Sequence, residues 1–301
     1  MTEDSEKRSI LVTSALPYAN APLHLGHILE HIQTDIWVRY QRLIGNDVVY
    51  VCADDAHGTP IMLKADELNM TPEELIAEIY ESHTSVFKKF NISHDNYHST
   101  HSEENEFLSQ KIFLALQDKG LIEKKEIDQL YDTSKEMFLS DRYVKGICPS
   151  CGADDQYGDN CEKCSATYNA IELKNPVSVL SNTAPIVRKS EHLFFKLSLL
   201  KDEISSWLDT SFVQSSVRNK LNEWLNDDLK DWDISRDSPY FGFKIPGYED
   251  KYFYVWLDAP IGYLASHLNH LKKNKMENLF HEFWDPQSNS EIYHFIGKDI
   301  M

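Results

Sequence analysis

An apolar, β-prone segment leads directly into a long amphipathic pattern near the start of the chain. Residues 10–15 predict a strand, and between Leu23 and Leu43 apolar residues recur at the three- and four-residue spacing of a helix. Pro22 suits the first turn of that helix, because its missing N–H would be unpaired there in any case. A strand followed by a long helix predicts the first unit of a parallel α/β sheet.

Two histidines, His24 and His27, lie at the predicted N-terminus of this helix, three residues apart and therefore on one face. A helix N-terminus carries free backbone N–H groups and the positive end of the helix dipole, which favour phosphate. Gly26 has no side chain, so a flat base could lie against the backbone. The plainer interpretation is two exposed histidines at an ordinary helix start, but the preceding strand and the long helix favour a nucleotide site.

Strands and helices alternate through the first third of the chain. The pattern predicts strands at 48–53 and near 95–100, and helices at 71–90 and 104–118. This alternation predicts a doubly wound parallel sheet with helices on both faces. Ligands bind such sheets beyond the carboxyl ends of the strands, where four side chains fall: Leu16, Tyr18, Asp54 and Asp55.

The pair Asp54-Asp55 has two interpretations from the residues alone. It could be a solvated strand end or a metal-binding pair. The residues themselves leave both open.

Four of the five cysteines form two Cys-x-x-Cys pairs, Cys148/Cys151 and Cys161/Cys164. Each pair brings two thiolates to one side of a turn, and two such knuckles complete a tetrahedral site for structural Zn²⁺. Disulfides are disfavoured in a cytoplasmic chain, and a redox pair would not need a second copy nearby. The fifth cysteine, Cys52, lies within a predicted strand and is expected to be a small buried hydrophobe.

Several segments together resemble the catalytic domain of the class I aminoacyl-tRNA synthetases, and within that class the methionyl-tRNA synthetase family. The resemblance runs along essentially the whole chain and is carried by residues 17–20 (Pro-Tyr-Ala-Asn), 24–27 (His-Leu-Gly-His), 53–60 (Ala-Asp-Asp-Ala-His-Gly-Thr-Pro), 232–236 (Trp-Asp-Ile-Ser-Arg), 254–260 (Tyr-Val-Trp-Leu-Asp-Ala-Pro) and 296–299 (Ile-Gly-Lys-Asp). It implies a Rossmann-like α/β domain with strand order 3-2-1-4, interrupted by a zinc-bearing insertion.

The resemblance also implies three parts: residues 1–118 as the first half of the nucleotide-binding catalytic domain, 119–250 as the connective insertion with the zinc knuckles, and 251–301 as the start of the second half. Residues 252–257 predict a strand before a helix that carries Tyr263, and residues 292–296 predict the fourth parallel strand. The family's fifth strand, second lysine signature and anticodon-binding domain have no match here. We therefore expect a sheet that is incomplete at the C-terminus and impaired activity of the isolated chain.

The site residues implied by the resemblance fall into two groups. ATP is implied to bind at His24, Gly26, His27, Glu30, Gly297 and Asp299, where His24 and His27 are catalytic residues that stabilise the reacting phosphate and Mg²⁺ accompanies ATP. Methionine is implied to bind at Leu16, Tyr18, Asp55, Trp256, Ala259, Pro260, Tyr263 and Ile300. Asp55 would accept the ammonium group, and the apolar and aromatic residues would hold the polarizable thioether, with a tyrosine hydroxyl near the sulfur. Arg236 is expected to support the wall of the site, and Trp207, Trp224 and Trp232 are expected in the core.

The implied function is that of a methionine–tRNA ligase, which activates methionine with ATP as methionyl-adenylate and transfers it to tRNA(Met). The protein would contribute positioning and charge stabilisation to an in-line attack of the methionine carboxylate on the α-phosphate. Two alternatives remain. One is a small-molecule nucleotidylyltransferase, which also uses His-x-Gly-His. The other is a non-catalytic methionine- and ATP-binding fragment or pseudo-enzyme, which the absent lysine signature favours.

The formal net charge of −18 is opposite to the basic footprint that binding along a nucleic-acid backbone needs. DNA is therefore not an expected partner, and tRNA would be bound by the complete enzyme. Every apolar run is far shorter than the roughly 18 residues of a membrane span, so no membrane association is expected. The first ten residues are polar and lack the core of a signal peptide, which makes the cytoplasm the expected location.

Overall fold

The computed structural model of the chain describes residues 7–210, 213–226 and 229–297. Within these ranges the strands are β1 (Ser9–Ser14), β2 (Asp47–Asp54), β3 (Asn96–Ser99), β4 (Ile122–Asp132), β5 (Met137–Phe138), β6 (Val144–Ile147), β7 (Gln156–Tyr157), β8 (Lys174–Ser178), β9 (Ile186–Phe195), β10 (Trp232–Asp233), β11 (Ser235–Asp237), β12 (Lys251–Phe253) and β13 (Glu291–Phe295). The helices are α1 (Leu25–Leu43), α2 (Thr59–Leu68), α3 (Pro72–Lys89), α4 (Glu103–Asp118), α5 (Lys201–Leu208), α6 (Ser215–Asn226), α7 (Val255–Lys273) and α8 (Phe280–Trp284).

The central sheet is parallel and has the strand order β13-β1-β2-β3, which confirms the predicted α/β fold and its 3-2-1-4 arrangement. Val12 of β1 lies opposite Tyr50 of β2 and Tyr293 of β13. The α1 residue Val38 packs with Ile10, Val12 and Tyr50 in one buried cluster, while α7 runs against β2 and β3. Because both neighbours of β1 are parallel to it, the carboxyl ends of these strands open on the same edge of the sheet.

The described residues between α4 and α7 build three further sheets. The longest one has the order β10-β9-β4-β5, in which β4 and β9 pair antiparallel along their length. A second one, β7-β6-β8, carries the two cysteine pairs on its loops, and the third is the antiparallel pair β11-β12. A buried cluster that includes Phe113 of α4, Leu193 of β9 and Phe253 of β12 ties the longest sheet to α4 and α7.

The boundaries differ from the prediction at two places that matter for the site. Helix α1 begins at Leu25 rather than Leu23, so that His24 is its N-cap and Pro22 lies outside the helix. The strand predicted over 252–257 ends at Phe253 because the backbone N–H of Leu257 turns back to the carbonyl of Tyr254 and starts α7. Trp256 is therefore on a helix, where the β-prone aromatic run had predicted a strand.

Two further features depart from expectation. Helix α2 was not predicted; it begins after Gly58, which has a φ of 107°, and has Pro60 in its first turn. Trp207 and Trp224 are exposed rather than in the core, since they lie on the short helices α5 and α6 at the surface. Among the described residues, no helix is both long and apolar enough to cross a membrane.

Candidate active site

A cavity of about 800 Å³ opens at the carboxyl ends of β1 and β2. Its walls come from the segments after these two strands, from the first turns of α2 and α7, and from loops of residues 140–159 and 232–240. Of the residues implied to bind methionine, the cavity brings together seven: Leu16, Tyr18, Asp55, Trp256, Ala259, Pro260 and Tyr263. The eighth, Ile300, lies outside the described residues.

The two neighbouring aspartates have different surroundings. Asp54 is buried away from the cavity, with one oxygen 2.6 Å from Nδ1 of His83 and a hydrogen bond from the hydroxyl of Tyr97. Asp55 lines the cavity, and its Oδ1 is buried without a hydrogen-bond partner. Burial raises the pKa of Asp55 well above its ordinary value, and the nearby Asp258 carboxylate raises it further. Neither the solvated strand end nor the metal pair fits, because both side chains are buried and face different partners.

The hydroxyl of Tyr18 is used by the protein backbone. It donates to the carbonyl of His57 at 2.8 Å. The chain segments after β1 and β2 stay paired at this point, since Ala19 N–H donates to the Asp55 carbonyl and Asp55 N–H donates to the Pro17 carbonyl. The ring of Tyr18 thus faces the cavity while its hydroxyl is held by the backbone just before α2.

Gly58 makes the close approach of Tyr18 possible. Its φ of 107° disfavours any L side chain, and an added Cβ would lie 3.1 Å from the Tyr18 hydroxyl oxygen. We expect Gly58→Ala to lower the free energy of unfolding by about 1–2 kcal/mol and to weaken ligand binding in the cavity, because Tyr18 must move. Thermal unfolding and calorimetric titration measure the two effects.

The matched control is Gly247→Ala, where φ is 82° but no atom lies within 4 Å of the added Cβ. It should reproduce the loss of stability without the loss of binding. If Gly58→Ala weakened ligand binding no more than Gly247→Ala does, the cavity would tolerate the displacement of the Tyr18 hydroxyl.

The remaining walls are apolar and aromatic. Trp256 is 50% exposed, whereas Ala259 and Tyr263 are buried behind it on α7. Gly262 lets this helix approach the sheet, because an added Cβ would lie 2.6 Å from Cγ2 of Thr100 and 3.1 Å from Cδ2 of Leu16. An apolar, partly aromatic cavity of this kind fits a flexible, polarizable chain.

Several lining residues were missed by the sequence analysis. The insertion contributes Ser140, Asp141, Arg142 and Asp159, and the segments before α7 contribute Trp232, Tyr240 and Tyr254. The guanidinium of Arg236, expected at the wall, lies 3.7 Å from the ring centre of Tyr254 and lines the cavity. Tyr254 lay in the strand predicted over 252–257, but nothing in the sequence marked Tyr240 or the insertion loops as walls.

His24 and His27 form a stacked pair at the start of α1. Their ring centres are 3.6 Å apart, and Nδ1 of His24 accepts from the backbone N–H groups of Gly26 and His27, at 3.1 and 3.4 Å. Nδ1 of His27 in turn accepts from the backbone N–H of His24 at 3.4 Å. Because each Nδ1 accepts, each neutral ring carries its proton on Nε2 and presents a donor outward.

The pair therefore differs from the predicted phosphate site in one respect. Two of the backbone N–H groups expected to be free are occupied by the His24 ring. The donors left for an anion include the two Nε2–H groups. Burial and the neighbouring His24 lower the pKa of His27 to about 4, so His27 is neutral at pH 7.

The other residues implied to bind ATP are placed as follows. Glu30 is partly buried, and its carboxylate accepts from the backbone N–H of Ala15 at 2.6 Å, which ties α1 to the end of β1. Gly297 is exposed just beyond β13, and an added Cβ there would meet nothing within 4 Å. Asp299 lies outside the described residues.

The four paired cysteines converge on one point. Their Sγ atoms all lie within 4.8 Å of one another, with 3.9 Å between Cys148 and Cys164 and 3.6 Å between Cys151 and Cys161. Zinc–sulfur bonds of 2.3 Å place tetrahedral sulfurs about 3.8 Å apart, so these thiols fit one Zn²⁺-sized ion. The N–H of Cys151 points at Sγ of Cys148 and lowers the pKa of that thiol to about 6, which favours the thiolate ligand.

The two knuckles have the same backbone path. In one, Cys148 N–H donates to Ala153 and Gly152 N–H donates to Cys148; in the other, Cys161 pairs with Ala166 and Ser165 in the same way. Gly152 and Ser165 occupy equivalent positions with φ of 73° and 58°. We expect Ser165→Gly to stabilise the second knuckle by about 0.5–1 kcal/mol, because glycine adopts this conformation without strain.

The reverse change, Gly152→Ser, should destabilise the first knuckle by a similar amount. Thermal unfolding, monitored with a probe in the insertion, measures the change in stability of both variants. A loss of stability in Ser165→Gly would show that the serine side chain contributes more than the strain it carries.

The model of the family described as tRNA synthetases class I (M) matches residues 10–301. The fold is similar to that of Mycobacterium tuberculosis methionyl-tRNA synthetase in complex with methionyl-adenylate, with a TM-score of 0.70 and 23% identity over 97% of this chain and 52% of that chain. A second structure of the same enzyme, bound by methionyl-adenylate, gives a TM-score of 0.67 and 21% identity over 95% of this chain and 57% of that chain. The chain thus spans about half the length of these structures. Since the family match covers nearly all 301 residues, the chain belongs to the class I (M) family of tRNA synthetases.

Proposed function

We propose that this chain carries the methionine- and ATP-binding part of a methionine–tRNA ligase. The observation that supports this most directly is the cavity, which places the buried carboxylate of Asp55 beside an apolar and aromatic wall. An ammonium group at Asp55 gains a charge-assisted hydrogen bond, and the wall from Leu16 to Tyr263 contacts an uncharged side chain. A zwitterionic amino acid with a flexible apolar side chain matches both the carboxylate and the apolar wall.

ATP would bind next to this cavity, at the start of α1. The Nε2–H groups of His24 and His27 donate to phosphate oxygens, and the N-terminal end of the helix dipole adds to the attraction. In this arrangement the methionine carboxylate attacks the α-phosphate in line, and the two imidazoles stabilise charge that grows in the transition state. Mg²⁺ would bind with ATP and neutralise the departing pyrophosphate.

Zinc would be held by Cys148, Cys151, Cys161 and Cys164 as a structural ion. Four thiolates leave no open coordination position, which is typical of a structural rather than a catalytic site. When bound, the ion cross-links two loops that share only a small buried cluster, Cys148, Ala153 and Cys161.

The two solved relatives support this proposal, since both are methionyl-tRNA synthetases bound to methionyl-adenylate. The transfer of methionine to tRNA(Met) is the activity of the complete enzyme in this proposal, because this chain spans only about half of those structures.

Calorimetric titration with methionine and with ATP, followed by methionine-dependent ATP–pyrophosphate exchange, tests the proposal. Binding of both ligands with exchange supports the ligase function, and binding of both without exchange supports the non-catalytic fragment. A chain that binds neither methionine nor methionyl-adenylate would overturn the proposal. Leucine and valine serve as control ligands, which the same wall should accept more weakly.

A further inference from the structure

We propose that His57 is a positioning residue that holds Asp55 and Tyr18 in the geometry of the cavity. It does not line the cavity itself, and it is fully buried. The inference rests on the proposed function, in which Asp55 accepts the ammonium group of methionine. In this inference the side chain of His57 is fixed by its neighbours, and its backbone in turn positions Asp55 and Tyr18.

The side chain of His57 is fixed on every side. Its Nδ1 contacts the carboxylate of Asp258 in the first turn of α7, and its Nε2 lies 3.0 Å from Nδ1 of His101. The rings of Phe241 and Phe243 pack edge-on against the imidazole, at centre distances of 5.5 and 4.5 Å. Both ring nitrogens and the ring faces are therefore occupied, so the imidazole has one position.

The backbone of the same residue lies beside two cavity residues. Its carbonyl accepts from the Tyr18 hydroxyl at 2.8 Å, and its N–H lies near enough to Asp55 to lower the pKa of that carboxyl. The next N–H, of Gly58, donates to the carbonyl of Phe241 at 2.9 Å. A shift of the His57 side chain would displace this backbone, and with it the hydroxyl of Tyr18 and the carboxylate of Asp55.

Asp258, which contacts the His57 side chain, also acts electrostatically on Asp55. It is 1% exposed, and its Oδ1 has no hydrogen-bond partner among the described residues, as is true of Asp55 Oδ1. Its charge lies near enough to Asp55 to raise the pKa of that carboxyl. His57 thus lies between two buried carboxylates, and a cation that arrives at Asp55 is also attracted by Asp258.

The test compares His57→Asn with His57→Ala and Asp258→Asn. Asparagine keeps a donor toward Asp258 but cannot reach His101, so His57→Asn should weaken methionine binding about tenfold and His57→Ala about a hundredfold. The dissociation constant for ATP should change less than about twofold in both. Asp258→Asn keeps an acceptor for His57 and removes only the charge, so we expect an effect no larger than that of His57→Asn.

The control is His267→Asn. His267 is also fully buried, and it accepts from the indole of Trp284 at 3.0 Å, outside the cavity. It should lower thermal stability without changing the ratio of methionine to ATP affinity. If the His57 variants weakened methionine and ATP equally, or changed that ratio no more than His267→Asn does, His57 would be only a packing residue and the inference would fall.

A crystal structure of His57→Asn separates this inference from the proposed function. We expect the Tyr18 hydroxyl and the Asp55 carboxylate to be displaced in it, whether or not methionine is the ligand. Unmoved positions of both groups would overturn the inference even if the wild-type chain binds methionine. A wild-type chain that binds no methionine, combined with displaced groups in the variant, would instead overturn the proposed function and leave the positioning role supported.

Discussion

Replacement of Asp55 with alanine is expected to weaken methionine binding by about 10²–10³-fold. The ammonium group would enter a largely buried site without its counter-charge, and loss of one partner of a buried pair costs about 3–5 kcal/mol. ATP binding should change less than about twofold, because the nucleotide would contact the start of α1 rather than Asp55. Calorimetric titration with each ligand measures the two affinities.

Asp47→Ala is the matched control. Asp47 begins β2, the strand that leads to Asp55, but its side chain is 67% exposed and pairs with Lys7. This variant should bind methionine as the wild type does. Equal weakening of methionine and ATP in Asp55→Ala would mean that Asp55 supports the fold of the cavity instead of binding the ammonium group.

Removal of zinc is expected to unfold the loops around the cysteines while the parallel sheet stays intact. Structural zinc sites contribute about 10–16 kcal/mol of apparent binding free energy at neutral pH, and the small cluster at Cys148, Ala153 and Cys161 cannot replace it. We therefore expect one zinc per chain in protein purified without chelator, and none in Cys161→Ser. Hydrogen exchange should show lost protection in residues 144–178 and retained protection in β1 and β2.

Cys52→Ser provides the control for this experiment. Cys52 is fully buried in the central sheet, far from the two knuckles in the fold, so the variant should keep its zinc. Zinc retained by Cys161→Ser, or absent from the untreated wild type, would contradict the structural zinc site.

The parallel sheet could be predicted because local and global signals agree there, whereas its strand order came from the family resemblance. β1 and β2 are apolar runs of the right length, each followed by an amphipathic helix, and that alternation permits few topologies. The cysteine pairs were equally informative, since metal geometry links residue spacing to position in space. The seven described residues implied to bind methionine fall together in one cavity, although the sequence alone gave no reason to join Trp256 to Leu16 without the family resemblance.

Other features depend on contacts that the sequence does not show. The aromatic run at 252–257 has strand propensity, but helix α7 forms because Tyr254 bonds to Ile234 and its own chain turns at Leu257. The walls supplied by Asp141 and Asp159 result from the packing of the insertion over the sheet. The histidine cap at α1 was missed because serine, threonine, aspartate and asparagine are the usual N-caps, and imidazole is not.

The pairing of β1 with β13 determines the order in which the chain can fold during synthesis. β1, β2 and β3 leave the ribosome early and can pair with one another, but the other edge of β1 has to wait for residues 291–295. By then the β4–β9 pair and the zinc loops have already emerged, so the insertion can fold first. Closing so long a loop between β1 and β13 costs little more free energy than closing a shorter one, because the entropic cost grows only with the logarithm of the loop length. Its consequence is kinetic: an apolar strand edge at the centre of the sheet stays open until residues 291–295 have been synthesised, and chaperone binding or aggregation would compete with folding there.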